Sequence, residues 1–181
     1  NRNSIRTISP GNMNWSVPIW IKIKGTEGAK TIDPDEDYMI PFGKARTVIE
    51  ADEDKIANGE TAVIITYGRG VYWSLEAAKK FVGQIEIIDL RTLNPIDEEA
   101  MYNATKKHNR VLLVTEESVE NSFTLGLAAR IQKNCFEFLD APIEIVGSVD
   151  TPAIPLNSIL EFTLLPNAEK VTKALNYLLD Y

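Results

Sequence analysis

The chain has 181 residues, 44% of them hydrophobic and 25% charged, a globular balance that excludes a disordered tail or a fibre. Nineteen basic against 26 acidic side chains leave a net charge of -7, which repels phosphate backbones and anionic lipid and sets aside nucleic acid and membranes as main partners. No apolar run nears the roughly 20 residues that span a bilayer. The single cysteine, Cys135, permits no internal disulfide, so a reducing, cytoplasmic setting is expected. The chain opens at Asn1 without an initiator Met and is expected to be a piece of something longer.

Residues 1–41 have little regular pattern and read as a linker or the remnant of a preceding domain. Pro10-Gly11 and Asp33-Pro34 mark turns, and Ile19–Lys24 alternates like a short strand. Asp33, Asp35 and Asp37 alternate like the opening of a calcium loop, but the positions that need Gly and Glu hold Tyr38 and Lys44. Calcium is rejected.

Residues 42–181 read as one domain with a regular rhythm. Thr61–Tyr67 is nearly all apolar, as a strand covered on both faces would be. A helix is predicted over Val71–Val82, with Val71, Leu75, Ala78 and Val82 on its inner stripe and Gly83 stopping it. Strand Ile85–Asp89 follows, then a turn at Asn94-Pro95. Asp97 is placed to cap a helix through His108, with Glu98 and Glu99 favouring its dipole. Next come strand Arg110–Thr115, a polar loop Glu116–Ser122, a helix from Phe123 to Phe138 and strand Ile143–Val146. Asn157-Ser158 starts a short helical turn, and Pro166-Asn167 opens a last helix with Val171, Leu175 and Leu178 inside. Strands alternating with helices of about a dozen residues predict a three-layer α/β domain, a mostly parallel sheet between helix layers.

The inventory of reactive groups is thin. The one histidine, His108, follows Lys106 and Lys107 at a helix end and reads as a solvated C-terminal turn. Cys135 reads as a small buried hydrophobe in a helix. Two Cys or His residues in all cannot make a zinc site. No catalytic, cofactor-binding or metal-binding residue is assigned. Gly68-Arg69-Gly70 follows a strand and precedes a helix, with Asp89 about 20 residues on, which is the outline of a dinucleotide site. Its third glycine would fall at Trp73, too large for the close approach that glycine permits. A flavodoxin-like or nucleotide-binding module using Gly68–Gly70 is therefore the alternative reading, and a tight turn the simpler one.

Five motifs stand in register. They are Asp37-Tyr38-Met39-Ile40-Pro41-Phe42-Gly43-Lys44-Ala45, Thr66-Tyr67-Gly68 with Ser74-Leu75-Glu76-Ala77-Ala78, Asp89-Leu90-Arg91-Thr92-Leu93-Asn94-Pro95-Ile96-Asp97, Phe138-Leu139-Asp140-Ala141-Pro142, and Leu165-Pro166. In combination they resemble the transketolase C-terminal domain, as found at the end of 2-oxo acid dehydrogenase beta subunits. The Asn121-Ser122-Phe123 loop and Pro152-Ala153-Ile154-Pro155-Leu156-Asn157 resemble most the branched-chain (2-oxoisovalerate) type with alpha and beta parts fused, with pyruvate the other substrate left open. Two departures stand out: Thr115 replaces a His found in many relatives, and Ser118-Val119-Glu120-Asn121-Ser122 replaces a Gly-rich turn.

The resemblance implies a full-length enzyme that decarboxylates a 2-oxo acid on thiamine diphosphate with Mg²⁺ and passes the acyl group to a lipoyl acyltransferase. The Gly-Asp-Gly motif that holds the cofactor in that family is absent here. The chain is therefore expected to be an inactive assembly domain, without the catalytic centre. The resemblance implies three kinds of partner: the preceding domains, a partner protomer, and the basic subunit-binding domain of the acyltransferase. Loops at the ends of parallel strands are the natural contact surface. The candidate interface is Asp89, Arg91 and Thr92 after the second strand, and Glu116, Glu117, Ser118 and Phe123 after the third. Arg91 is offered a carboxylate at Asp89 or on a partner. Asp97, Glu98, Glu99, Glu116, Glu117 and Glu120 are the acidic groups a basic partner would seek.

Overall fold

The computed structural model describes residues 40–181. The chain divides into two compact units between Pro41 and Phe42, and every described strand and helix belongs to the second. The Ile19–Lys24 strand and the Asp33–Asp37 stretch lie outside the described residues.

Five strands form one sheet: β1 (Arg46–Ile49), β2 (Ala62–Thr66), β3 (Ile85–Asp89), β4 (Val111–Ser118) and β5 (Glu144–Ser148). Their order is β1-β3-β2-β4-β5. β2, β3, β4 and β5 pair in parallel, whereas β1 closes one edge antiparallel to β3, with an irregularity between Thr47 and Ile49. The described helices are α1 (Glu53–Ala57), α2 (Gly70–Ala78), α3 (Glu98–His108), α4 (Phe123–Cys135), α5 (Ser158–Leu164) and α6 (Ala168–Leu179), with a 3₁₀ turn at Phe136–Phe138.

The pleat sorts the side chains into two cores. Ala62 and Ile64 of β2 and Leu112 and Val114 of β4 face Ala77, Ala78, Val171, Leu175 and Leu178 of α2 and α6. Their neighbours Val63, Ile65, Val111 and Leu113 face Met101, Ala104, Leu127, Ile131 and Cys135 of α3 and α4. All of β2 is buried, as its unbroken apolar run requires of a central parallel strand. The three-layer α/β architecture is as expected. So are the buried Cys135, the α6 stripe, and Asp97, whose carboxylate accepts from the Ala100 N–H.

Four local expectations fail. α2 stops at Ala78, and Val82 is 77% exposed rather than part of the inner stripe. The chain turns there because the Gly83 carbonyl accepts from the Asp52 N–H, and Gly83 takes φ 72 beside the Asp52 carboxylate. β4 runs on through Glu116, Glu117 and Ser118, where a loop was expected, because Ser118 pairs with Ser148. Helix α4 ends at Cys135 and tightens into the 3₁₀ turn, short of the Phe138 end expected. His108 is not solvated: its side chain is fully buried, Nδ1 lies 2.8 Å from Thr61 Oγ1, and Nε2 lies 2.9 Å from Glu86 Oε2. Lys107 joins the same carboxylate from the solvent side. Burial opposes charge on Glu86, but hydrogen bonds from His108 and Lys107 outweigh it and hold the carboxyl below the usual glutamate range.

Candidate functional site at the sheet switch point

From β2 the chain passes to β3 on one side, and β4 then lies on the other. Between the ends of β2 and β4 the strand order reverses, the place where loops diverge and a crevice forms in open α/β sheets. The side chains at the ends of β2 and β4 fill it.

Tyr67 follows the last residue of β2, on the α3/α4 face. Its hydroxyl donates to Glu117 Oε1 at 2.7 Å and lies 2.9 Å from Thr115 Oγ1 and 3.2 Å from Thr124 Oγ1. Thr124, in the first turn of α4, adds two donors to the same Glu117 oxygen: its hydroxyl at 3.0 Å and its backbone N–H at 3.2 Å. The Thr115 hydroxyl, 2.9 Å from the phenol oxygen, also lies 3.3 Å from Glu117 Oε1, to which it donates. The node is thus a closed circuit. Burial opposes charge on Glu117, yet these donors hold its carboxyl below the ordinary range. Burial first, and the adjacent carboxylate after it, push the Tyr67 phenol up. Phe123 meets the Tyr67 ring edge-on, 6.4 Å between centroids. Ser122 starts α4 by accepting from the Leu125 N–H at 3.0 Å.

Outside the circuit lie the more exposed groups. Glu116 and Arg69 are 50% and 62% exposed at the side chain and stand 4.0 Å apart. A pair this long and this open contributes at most about 1 kcal/mol, so both are available to other charges. Arg69 also covers the Trp73 ring, 5.5 Å from its centroid. Ser118 Oγ donates to Asp150 at 3.2 Å.

The structure therefore brings together four of the expected interface residues, Glu116, Glu117, Ser118 and Phe123. Asp89, Arg91 and Thr92 form a separate cluster over the end of β3. There Asp89 Oδ1 accepts from the Arg91 N–H at 3.0 Å. The Thr92 hydroxyl accepts from the Gly43 N–H at 2.9 Å and donates to the Pro95 carbonyl at 2.8 Å. Thr92 thus ties the lead-in segment to its own loop. Asp97 does the same one turn later, accepting from the Ala45 N–H at 2.9 Å, and is buried. The sequence pattern assigns no site role to Tyr67, Thr115 or Thr124. The available signal was a tyrosine at the end of an otherwise apolar strand, in the loop layer where a hydroxyl needs a partner.

The two glycines of the alternative reading have conformational reasons. Gly68 has φ 58. A Cβ on Gly70 would sit 2.1 Å from Thr66 Oγ1 and 3.0 Å from the Val114 carbonyl, so the loop presses onto β4 there. Trp73, in the place of a third glycine, packs on the α2/α6 core.

With this geometry in view, comparison with known proteins decides the family. Residues 52–171 match the family model described as "Transketolase, C-terminal domain". The chain belongs to the transketolase C-terminal domain family. Among curated relatives of this domain, the "2-oxoisovalerate dehydrogenase subunit beta" of Bacillus subtilis is 36% identical over 151 residues, 82% of this chain and 44% of that one. The "Pyruvate dehydrogenase E1 component subunit beta" of Rhizobium meliloti is 32% identical over 142 residues, 77% of this chain and 29% of that one. The chain thus spans less than half the length of these relatives. A solved structure described as "Split gene transketolase, inactive beta4 tetramer" shares the fold, with TM-score 0.62 and 21% identity over 81% of this chain and 45% of that one. Both of these curated relatives are beta subunits of 2-oxo acid dehydrogenases, which are oxidoreductases.

Proposed function

We propose that this transketolase C-terminal domain is the assembly part of a thiamine diphosphate-dependent 2-oxo acid dehydrogenase of the branched-chain type, acting in the cytoplasm. The observation that carries the reading is the switch-point node. The carboxylate at its centre, Glu117, accepts from Tyr67 and Thr124 at one oxygen and is held below the ordinary glutamate range, which suits a fixed scaffold better than a base that must exchange protons. Around it Glu116, Arg69 and Phe123 face outward, as contact groups would.

Thiamine diphosphate with Mg²⁺ does not fit the described residues. Among them no group of three or more His, Cys, Asp or Glu side chains could hold a metal ion, and the glycine loop is closed down on β4. The cofactor is assigned to the preceding domains that the resemblance implies, and no step of the reaction is routed through this chain. The chain's own part is to present Ser118 and Phe123 to those domains and to a partner protomer.

A second contact fits the basic subunit-binding domain of a lipoyl acyltransferase, which the charge of -7 would steer. Asp97 and Glu117 have internal duties, and Glu98 bonds Arg130 at 2.8 Å. That leaves Glu99, Glu116 and Glu120, all exposed, as the acidic contacts. Titration calorimetry with thiamine diphosphate and Mg²⁺ should give no binding heat for this chain, and micromolar binding would refute the assembly role. Glu116→Lys with Glu120→Lys should abolish capture of a basic subunit-binding domain. Unchanged capture would rule that contact out.

A further inference from the structure

Asn58 and Gly59 form the one Asn-Gly pair in the chain, in the turn that carries α1 into β2. Both are exposed, and the Asn58 side-chain amide makes no hydrogen bond among the described residues. The Asn157 and Asn167 side chains, by contrast, are occupied in capping α5 and α6. An asparagine followed by glycine carries its own nucleophile. The glycine nitrogen can attack the carbonyl carbon of the asparagine side chain, and a glycine, lacking Cβ, does not obstruct the approach.

The folded turn holds that nitrogen away. α1 ends in a Schellman arrangement: the Gly59 N–H donates to the Ile56 carbonyl at 3.0 Å and the Glu60 N–H to the Lys55 carbonyl at 2.9 Å, with Gly59 at φ 70. Arg110 Nη1 donates to the Gly59 carbonyl at 2.6 Å. Asn58 has ψ -5, which eclipses the Gly59 nitrogen with the backbone nitrogen of Asn58, whereas ring closure needs it eclipsed with Cβ. Such a reaction is fast only from a near-attack geometry, and this turn must open to reach one.

Opening is cheap here. α1 has five residues, none of them buried. Outside the turn it is tied down by Lys55 Nζ, which donates to the Val82 carbonyl at 2.6 Å. An element with so little buried surface opens locally at far less free energy than the sheet beside it.

We infer that Asn58 is a site of spontaneous deamidation, gated by local opening of the α1 cap. In the opened turn the Gly59 nitrogen bonds to Asn58 Cγ, the bond from Cγ to the amide nitrogen breaks, and ammonia departs with the proton of the Gly59 N–H. Water then opens the succinimide ring at either carbonyl, leaving aspartate or its backbone-shifted isomer, with no oxidant or reductant consumed. Both products place a carboxylate at the C-terminal end of α1, where the helix dipole disfavours it. The isomer also adds a methylene to the main chain just ahead of the central strand β2. The inference is independent of the assembly role and needs no part of the thiamine reading.

Incubating the full chain in mildly alkaline buffer, folded and in denaturing urea, tests it. Asn58 is the only asparagine between the tryptic sites at Arg46 and Arg69, so mass spectrometry of that stretch follows the exchange of NH₂ for OH. Conversion should be at least about tenfold slower in the folded chain than in urea. Equal rates, or no conversion in urea, overturn the proposal. Urea below the unfolding transition should change the folded rate little, because opening α1 exposes little surface, and a rate that climbs as steeply as global unfolding refutes the gate. Arg110→Gln and Lys55→Met each remove one tie on the turn or its helix. Folded by far-UV circular dichroism, each should convert at least about threefold faster than the parent. Folded variants that both convert at the parent rate overturn the proposal.

Discussion

Replacing Tyr67 with Phe removes one oxygen from the switch-point node and leaves the ring against Phe123. The lost phenol is the shortest donor to the Glu117 carboxylate, at 2.7 Å, and a partner of the Thr115 hydroxyl at 2.9 Å. A hydrogen bond to a charged group contributes about 1.5–3 kcal/mol. Tyr67 is only partly buried and Thr124 still supplies two donors, so the lower end applies, about 1.5 kcal/mol. For a domain of this size that lowers Tm by roughly 6 °C. A second effect distinguishes the node from general loosening. With a donor gone, the Glu117 carboxyl rises toward the ordinary value near 4.3. In the parent chain its folded pKa lies below the unfolded one, so its stabilisation is complete above about pH 4.3 and fades as pH falls through the folded value. Tyr67→Phe should shrink that acid-dependent part. Urea unfolding followed by circular dichroism at pH 7 and at steps down to pH 3, in a cycle with Glu117→Gln, measures both. A change under about 0.5 kcal/mol with an unaltered acid limb would refute the circuit.

Other outcomes follow from the same contacts. Gly70→Ala should cost about 1–3 kcal/mol in urea unfolding, because its Cβ would collide with Thr66 Oγ1 and the Val114 carbonyl. His108→Ala leaves the buried Thr61 hydroxyl without its partner and Glu86 with Lys107 alone, at about 1–3 kcal/mol in all, visible as a lower Tm in calorimetry. Since Glu86 is likewise held below its ordinary range, Glu86→Gln should flatten the fall in Tm below about pH 4.3, whereas it leaves the slope above that pH unchanged. Asp97→Ala removes both the α3 cap and the acceptor for Ala45, and hydrogen exchange at Ala100 and Ala45 should quicken together, with about 1–2 kcal/mol lost.

Much of this architecture was legible because local pattern and tertiary demand agree. The unbroken apolar run of β2 could only be a strand covered on both faces, and Val171, Leu175 and Leu178 define α6 by spacing alone. What escaped was decided by distant partners. The lysines before His108 signal a helix end correctly, but the imidazole is drawn inward by Glu86 of β3 and by Thr61 just before β2. β1 has polar Arg46 and Thr47 in its four residues and exists because the free edge of β3 needs a partner. Glu116 to Ser118 look like a loop, yet register with β5 keeps them extended. At the candidate site, the strand-end loops were found by topology. The closure of Glu117 by Tyr67 and Thr124 was hidden, because it joins residues fifty positions apart through a crevice that only the strand order creates.

The central claim is that this scaffold assists chemistry done elsewhere. The most direct measurement grafts residues 42–181 in place of the matching segment of the Bacillus subtilis 2-oxoisovalerate dehydrogenase beta subunit, and compares 2-oxoisovalerate decarboxylation by that chimera, with its alpha partner, against the present chain alone. Thiamine diphosphate and Mg²⁺ are supplied to both. Turnover by the assembled chimera and none by the chain alone is the predicted result. Decarboxylation by the unaided chain would contradict it.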